Sequence, residues 1–194
     1  MPSPFFQIDS AGRASLMRLT SPDGTNRLSR LCVLELIAAV EQLKLQGSLP
    51  LIIAGNHRFF SVGADLNEIA GLTGPEAYEF AEIGQTLMNA IAGYPAPVIA
   101  VIEGHCMGGG LDLALACHRR IAAPDAVFGH RGAALGLMTG WGGTQRLPRL
   151  IGKGRALEIF IAAEKISAER AMNIGMVDAI AADPVIEAVQ LLCG

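Results

Sequence analysis

The chain has 194 residues, enough for one domain with a sizeable core, and 51% of them are hydrophobic. A formal charge of −3 gives no electrostatic case for nucleic acid or an acidic membrane surface as partner. No segment has the length and apolar character of a membrane-spanning helix, and the start MPSPFFQIDSAGR lacks the basic and apolar runs of a secretion signal. Cys32, Cys106, Cys117 and Cys193 lack metal-ligand spacing, so a cytoplasmic protein with free thiols and no bound metal is expected.

Residues 5–8 and 14–19 are expected as short strands joined near Ser10-Ala11-Gly12, with a turn at Ser21-Pro22-Asp23-Gly24. Residues 29–46 read as an amphipathic helix whose inward stripe is Leu31, Leu34, Ile37, Ala38, Glu41 and Leu45, ended by Gly47. Residues 51–54 read as a buried strand, 65–70 as a short helix, and 75–91 as a longer helix with Pro75 in its first turn. Val98, Ile99, Val101 and Ile102 mark a second buried strand over 97–102, because β-branched side chains suit a pleated surface. A loop over 103–107, the glycines 108–110 and an apolar helix to Cys117 follow. Residues 119–123 and 127–128 read as strands, and 129–143 as a glycine-rich loop around a short helical turn. Helices are expected at 154–163 and at 167–174, the second capped by Ser167. A strand at 177–180 and a helix from 184 close the chain. Strands alternating with helices, without repeat or linker, imply an α/β domain with mainly parallel sheets.

The strand, glycine run and helix over 97–117 organise the rest. Glycines at a strand-to-helix junction let a ligand approach bare N–H groups. The first helical N–H groups lack intrahelical partners and sit at the positive end of the helix dipole, so they favour an anion or a developing oxyanion. The spacing does not fit a dinucleotide fingerprint, and Leu111-Asp112 stands where a P-loop needs Lys-Ser/Thr. Close packing of helix on strand, with glycine for clearance alone, is the simpler reading.

Four segments together decide between these readings: FFSVGADL, PVIAVIEGHCMGGGLDLAL, LGLMTGWGGTQRLPRLIGKGRALE and ISAERAMNIGMVDAI. In order and spacing they resemble the enoyl-CoA hydratase/isomerase family, the crotonase superfamily, over residues 14–180. The resemblance implies an acyl-CoA-processing enzyme with a spiral of ββα turns. It implies a core over residues 1–180, with 181–194 as a short remnant of the family's C-terminal helical region, and a trimer or hexamer as the assembly. It implies an acyl-CoA or enoyl-CoA substrate, with no cofactor beyond the coenzyme A of that thioester.

Carried over to this chain, the resemblance makes the backbone N–H groups of Ala64 and Gly109 the oxyanion hole. Val62 would offer its carbonyl to the adenine, and Asp65, Leu66, His105, Gly108, Arg131 and Gly132 would lie around the substrate. Asp112, one turn into the helix, takes the place of a glutamate that holds or activates water. Its side chain leans back toward Gly109, because helical side chains point to the N-terminus. The competing reading of Asp112 is an acid favoured by the helix dipole alone.

The chain departs from the family pattern at the second acidic position. Gly132 takes that glutamate's place and Arg131 a proline's, while Thr139 and Gly140 stand where some relatives carry an aspartate. A glycine moves no proton, so hydration by two carboxylates is in doubt and slow or absent hydration is expected. His105 and His130 are read first as structural, Trp141 as lining an acyl pocket or packing, and Arg27 and Arg58 as surface charges within possible reach of phosphates. Asn67 replaces a phosphate-binding lysine. The alternative function is a non-catalytic CoA-binding or assembly protein. A serine peptidase on the same fold is disfavoured, since no serine beside the glycine run has a base near it.

Overall fold

The computed structural model describes residues 3–193. Two sheets form by a repeated device: each passage of the chain lays one strand in the first sheet, turns a corner, and lays a shorter one in the second. Thus β4 (Leu51–Ala54) leads to β5 (Phe59–Ser61), β7 (Val98–Ile102) to β8 (His105–Met107), and β9 (Arg119–Ala122) to β10 (Val127–Gly129). With β1 (Phe6–Ala11), β2 (Ala14–Leu19) and β12 (Ala179–Ile180), the first sheet has the order β1-β2-β4-β7-β9-β12. Only its β1–β2 hairpin is antiparallel. The second sheet, with β11 (Ile166–Ser167), runs β11-β10-β8-β5, and β3 (Arg27–Leu28) pairs with β6 (Gly63–Ala64). This is the expected mainly parallel α/β architecture of ββα turns.

All five residues of β7 are buried, as a central parallel strand covered on both faces requires. Each buried Val or Ile there contributes about 1.5–3 kcal/mol relative to exposure. The helices are α1 (Arg30–Leu45), α2 (Leu66–Ala70), α3 (Gly74–Ala92), α4 (Gly109–Ala116), α5 (Gly143–Ile151), α6 (Lys153–Ala162), α7 (Ala168–Asn173) and α8 (Pro184–Cys193). Ser29 caps α1 by accepting from Cys32 N, a device worth about 1 kcal/mol. Helix α8 packs Ala188 and its neighbours against the first sheet. Among the described residues no helix is long and apolar enough to cross a membrane.

Several expectations need correction. The inward face of α1 is Cys32, Val33, Leu36, Ala39 and Val40, while Leu31 is 65% exposed and Leu34 and Leu45 also face outward. Apolar residues occupy both stripes, so periodicity alone does not choose, and packing against α3 does. The segment 103–107 is not all loop, since its second half is β8. The final strand is shorter than expected, starting at Ala179 rather than Val177. Helix α5 was not expected, because Gly142, Gly143 and Pro148 read as breakers. Cys32, Cys106 and Cys117 are free and buried, and the Cys193 side chain lies outside the described residues. Burial pushes the Cys117 thiol up to about 12 and the Cys106 thiol well above its ordinary value, which leaves both unreactive.

Candidate active site

Sheet register builds the site. Strands β8 and β10 run parallel with Met107 opposite Gly129, so the segments that follow both strands emerge side by side. Gly108 N then donates to Gly129 O at 2.9 Å, and α4 begins at Gly109. Strand β6 approaches the same point closely. A Cβ on Gly63 would sit 2.6 Å from Gly109 N, and a Cβ on Gly109 would sit 3.2 Å from Ala64 N. Only glycine permits this contact, and Gly63 also has a φ of +88°. The amides of Ala64 and Gly109 are therefore neighbours in the wall of one cavity of about 370 Å³.

Trp141 shapes that cavity. Its indole lies where a Cβ on Gly84 of α3 would come within 2.0 Å and one on Gly109 within 2.5 Å, so it is wedged between two glycines. Trp141 Nε1 donates to Phe80 O at 3.3 Å, and the Phe80 ring meets it edge-on at 5.3 Å. Leu66, Leu135 and Met138 form an exposed apolar rim. The expectation of a pocket-lining or packing role for Trp141 is met in both senses.

Asp112 is 1% exposed, yet it reaches the cavity wall. Its Oδ2 accepts a hydrogen bond from the Thr139 hydroxyl. Its Oδ1 lies 3.2 Å from His130 Nε2, and His130 is itself 5% exposed and also lines the cavity. The contact is close enough for an ion pair. Among the described residues, Asp112 Oδ1 and His130 Nε2 are the buried side-chain polar atoms without a hydrogen-bond partner. Gly143 leaves them room: a Cβ there would lie 2.2 Å from Oδ1 and 2.9 Å from Nε2. Arg146, bonded to Trp141 O at 3.1 Å and Asn89 Oδ1 at 2.9 Å, stands behind them. Burial lowers its pKa, and the Asp112 charge opposes that shift.

The cavity wall holds Val62, Ala64, Leu66, Gly108, Gly109, Asp112, Arg131 and Gly132 of the expected site residues. Asp65 and His105 are not in that wall. Asp65 caps α2 by accepting from Asn67 N at 2.9 Å, and the His105 ring lies 5.6 Å from that of Phe59. Arg27 is paired with Asp23 at 3.1 Å, and Arg58 lies over the Phe59 ring. Ser61 is buried and donates to Asn26 O at 2.7 Å, an arrangement that braces β5. Gly132 starts a tight 3₁₀ turn over Gly132–Leu135, closed by Leu137 N donating to Gly132 O at 2.9 Å. A Cβ on Gly132 would meet Leu137 O at 2.7 Å, so this loop is built around glycine. The sequence reading missed the Thr139 hydroxyl and set His130 aside. The parallel register of β8 and β10 is the signal that brings His130 to the glycine run.

Comparison with known proteins agrees with this fold. The enoyl-CoA hydratase/isomerase family model matches residues 11–193. A probable enoyl-CoA hydratase of Bacillus subtilis (strain 168) is 45% identical over 160 residues, covering 81% of this chain and 62% of the relative. The crotonyl-CoA hydratase of Syntrophomonas wolfei is 35% identical over 175 residues, covering 89% of this chain and 67% of the relative. The chain thus spans about two thirds of the length of these curated relatives. The crystal structure of an enoyl-CoA hydratase from Bacillus anthracis superposes with a TM-score of 0.91 at 34% identity, over 97% of this chain and 76% of that one. One from Thermoplasma volcanium gives 0.93 at 32% identity, over 98% and 77%. The glycine-lined junction, the ββα spiral and these matches agree: the chain belongs to the enoyl-CoA hydratase/isomerase family of the crotonase superfamily.

Proposed function

We propose that the protein binds an acyl-CoA or enoyl-CoA thioester in this cavity and stabilises its enolate with the N–H groups of Ala64 and Gly109. The observation that carries this reading is that the two amides are neighbours in a cavity wall that also holds the buried carboxylate of Asp112. Negative charge developing on the thioester oxygen is best stabilised by donors already in place. The chemistry is proton transfer at the carbon next to the carbonyl, with no metal or further cofactor required. A short acyl chain suits a cavity of about 370 Å³, and one relative is named a crotonyl-CoA hydratase.

Titration calorimetry tests the reading: butyryl-CoA binds more tightly than free CoA, and equal affinities would end the proposal. The second reading, a non-catalytic CoA-binding or assembly protein, draws on Gly132 standing where the family carries a glutamate. Turnover of a short trans-2-enoyl-CoA, followed by loss of thioester absorbance, separates the two. Exposed Leu31, Leu34, Leu157 and Ile161 offer apolar surface for self-association, for which a trimer or hexamer is proposed, with the cytoplasm as the proposed location. Light scattering giving a monomer at high concentration would reject that assembly.

A further inference from the structure

We propose that His130 is the second catalytic acid/base group of this site, sharing a proton with Asp112 in place of the missing carboxylate. The inference rests on the acyl-CoA reading above and names the group that reading lacks. Gly132 is unable to move a proton, and its loop has no room for a larger residue. His130 is adjacent in the chain and lines the same cavity as Ala64, Gly109 and Asp112.

A purely structural pair satisfies its own atoms, because buried polar groups left unpaired cost free energy. Here the reverse holds. Asp112 Oδ1 and His130 Nε2 face each other at 3.2 Å with neither hydrogen-bonded. Thr139 holds Oδ2 and so fixes the carboxylate while leaving Oδ1 free. Gly143 lets both atoms pack against its bare backbone, where any side chain would collide with them. Phe160, with its ring 5.2 Å from the imidazole, gives an apolar backing and no competing partner. Both side chains line the cavity while these two atoms stay turned to each other, so a bound thioester meets the pair without separating it.

The proton balance closes with these two groups. In enoyl thioester hydration, water oxygen bonds to the β carbon as Asp112 takes its proton. The π pair moves onto the thioester oxygen between Ala64 N and Gly109 N. Imidazolium His130 then gives its proton to the α carbon as the enolate collapses. The proton on Asp112 crosses the 3.2 Å contact to His130 and restores both groups. With a saturated thioester, the same groups remove and return an α proton, which exchanges with solvent.

The test follows deuterium entering the α position of butyryl-CoA in D₂O by mass spectrometry, beside calorimetric affinity for butyryl-CoA and CoA. Wild type exchanges; His130→Gln and His130→Asn bind butyryl-CoA nearly as well but exchange about 10²–10⁴-fold more slowly. Exchange at the wild-type rate in a folded His130 variant overturns the inference and leaves the acyl-CoA reading standing. Wild type that binds butyryl-CoA without exchange also overturns it. Wild type that does not prefer butyryl-CoA over CoA removes the acyl-CoA reading, and the inference with it. If both variants fail to fold by circular dichroism, ¹⁵N-histidine spectra of wild type decide. Butyryl-CoA shifts the His130 imidazole resonances if the inference holds, and unmoved resonances reject it.

Discussion

The two halves of the site are built on different principles. On one side, Ala64 and Gly109 present backbone amides, held by a glycine contact between β6 and the start of α4. On the other, Asp112, His130 and Thr139 present side chains drawn from α4 and from the segment that follows β10. A backbone donor survives replacement of its own side chain, so the first half is the less sensitive to sequence change. A proton-transfer group depends on one residue, and there Gly132 stands where the family resemblance implies a glutamate. On the proposed reading, one site thus joins a backbone half that would stabilise an anion to a side-chain half that would move protons.

The largest expected effect falls on the side-chain half. Asp112→Asn keeps the shape but removes the base, and α-proton exchange in butyryl-CoA drops about 10²–10⁴-fold. Its affinity for butyryl-CoA stays near wild type, and exchange at the wild-type rate would break the comparison. Next comes the backbone half. Gly109→Pro removes one donor and costs about 10²–10³-fold in rate. Its control is Gly109→Ala, which keeps the N–H but brings the same Cβ against Trp141. If both variants lose the preference for acyl-CoA equally, displacement of Trp141 is responsible and the donor assignment fails.

Smaller effects sharpen the same contrast. Gly84→Ala presses a methyl group into the Trp141 indole from the opposite side. Overpacking of this kind costs about 1–3 kcal/mol, which thermal or denaturant unfolding measures. Weaker acyl-CoA binding accompanies it because the ring moves toward Gly109. Restoring the family residue with Gly132→Glu brings no gain in turnover, since its Cβ meets the Leu137 carbonyl. A gain at unchanged stability would show that the loop accepts a carboxylate, and that His130 is not the replacement.

Much of this was legible from local pattern. The buried strand at 98–102, the glycine junction and α4 follow from β-branched density, absent side chains and helix formers within twenty residues. The four motif segments, read by resemblance, carried Ala64, Gly109 and Asp112 to one cavity wall. Other parts were hidden for identifiable reasons. Strand β8 is three residues long and has too little period to declare itself. Helix α5 begins with Gly142-Gly143 and contains Pro148, so its local signals argue against a helix that tertiary packing supports.

The sequence by itself determined the α/β class and the glycine junction, because those depend on residues near one another in the chain, whereas Ala64 and Gly109, 45 positions apart, were joined only by the family resemblance. It did not determine which stripe of α1 faces inward, since Leu31 and Val33 are equally apolar and only packing against α3 distinguishes them. Nor did it determine the partners of Asp112. Those come from 18 and 27 residues further along, and their approach depends on the parallel register of β8 with β10 and on the clearance at Gly143. Register is a long-range property, set by which strands pair and in what step, and only the tertiary structure decides it.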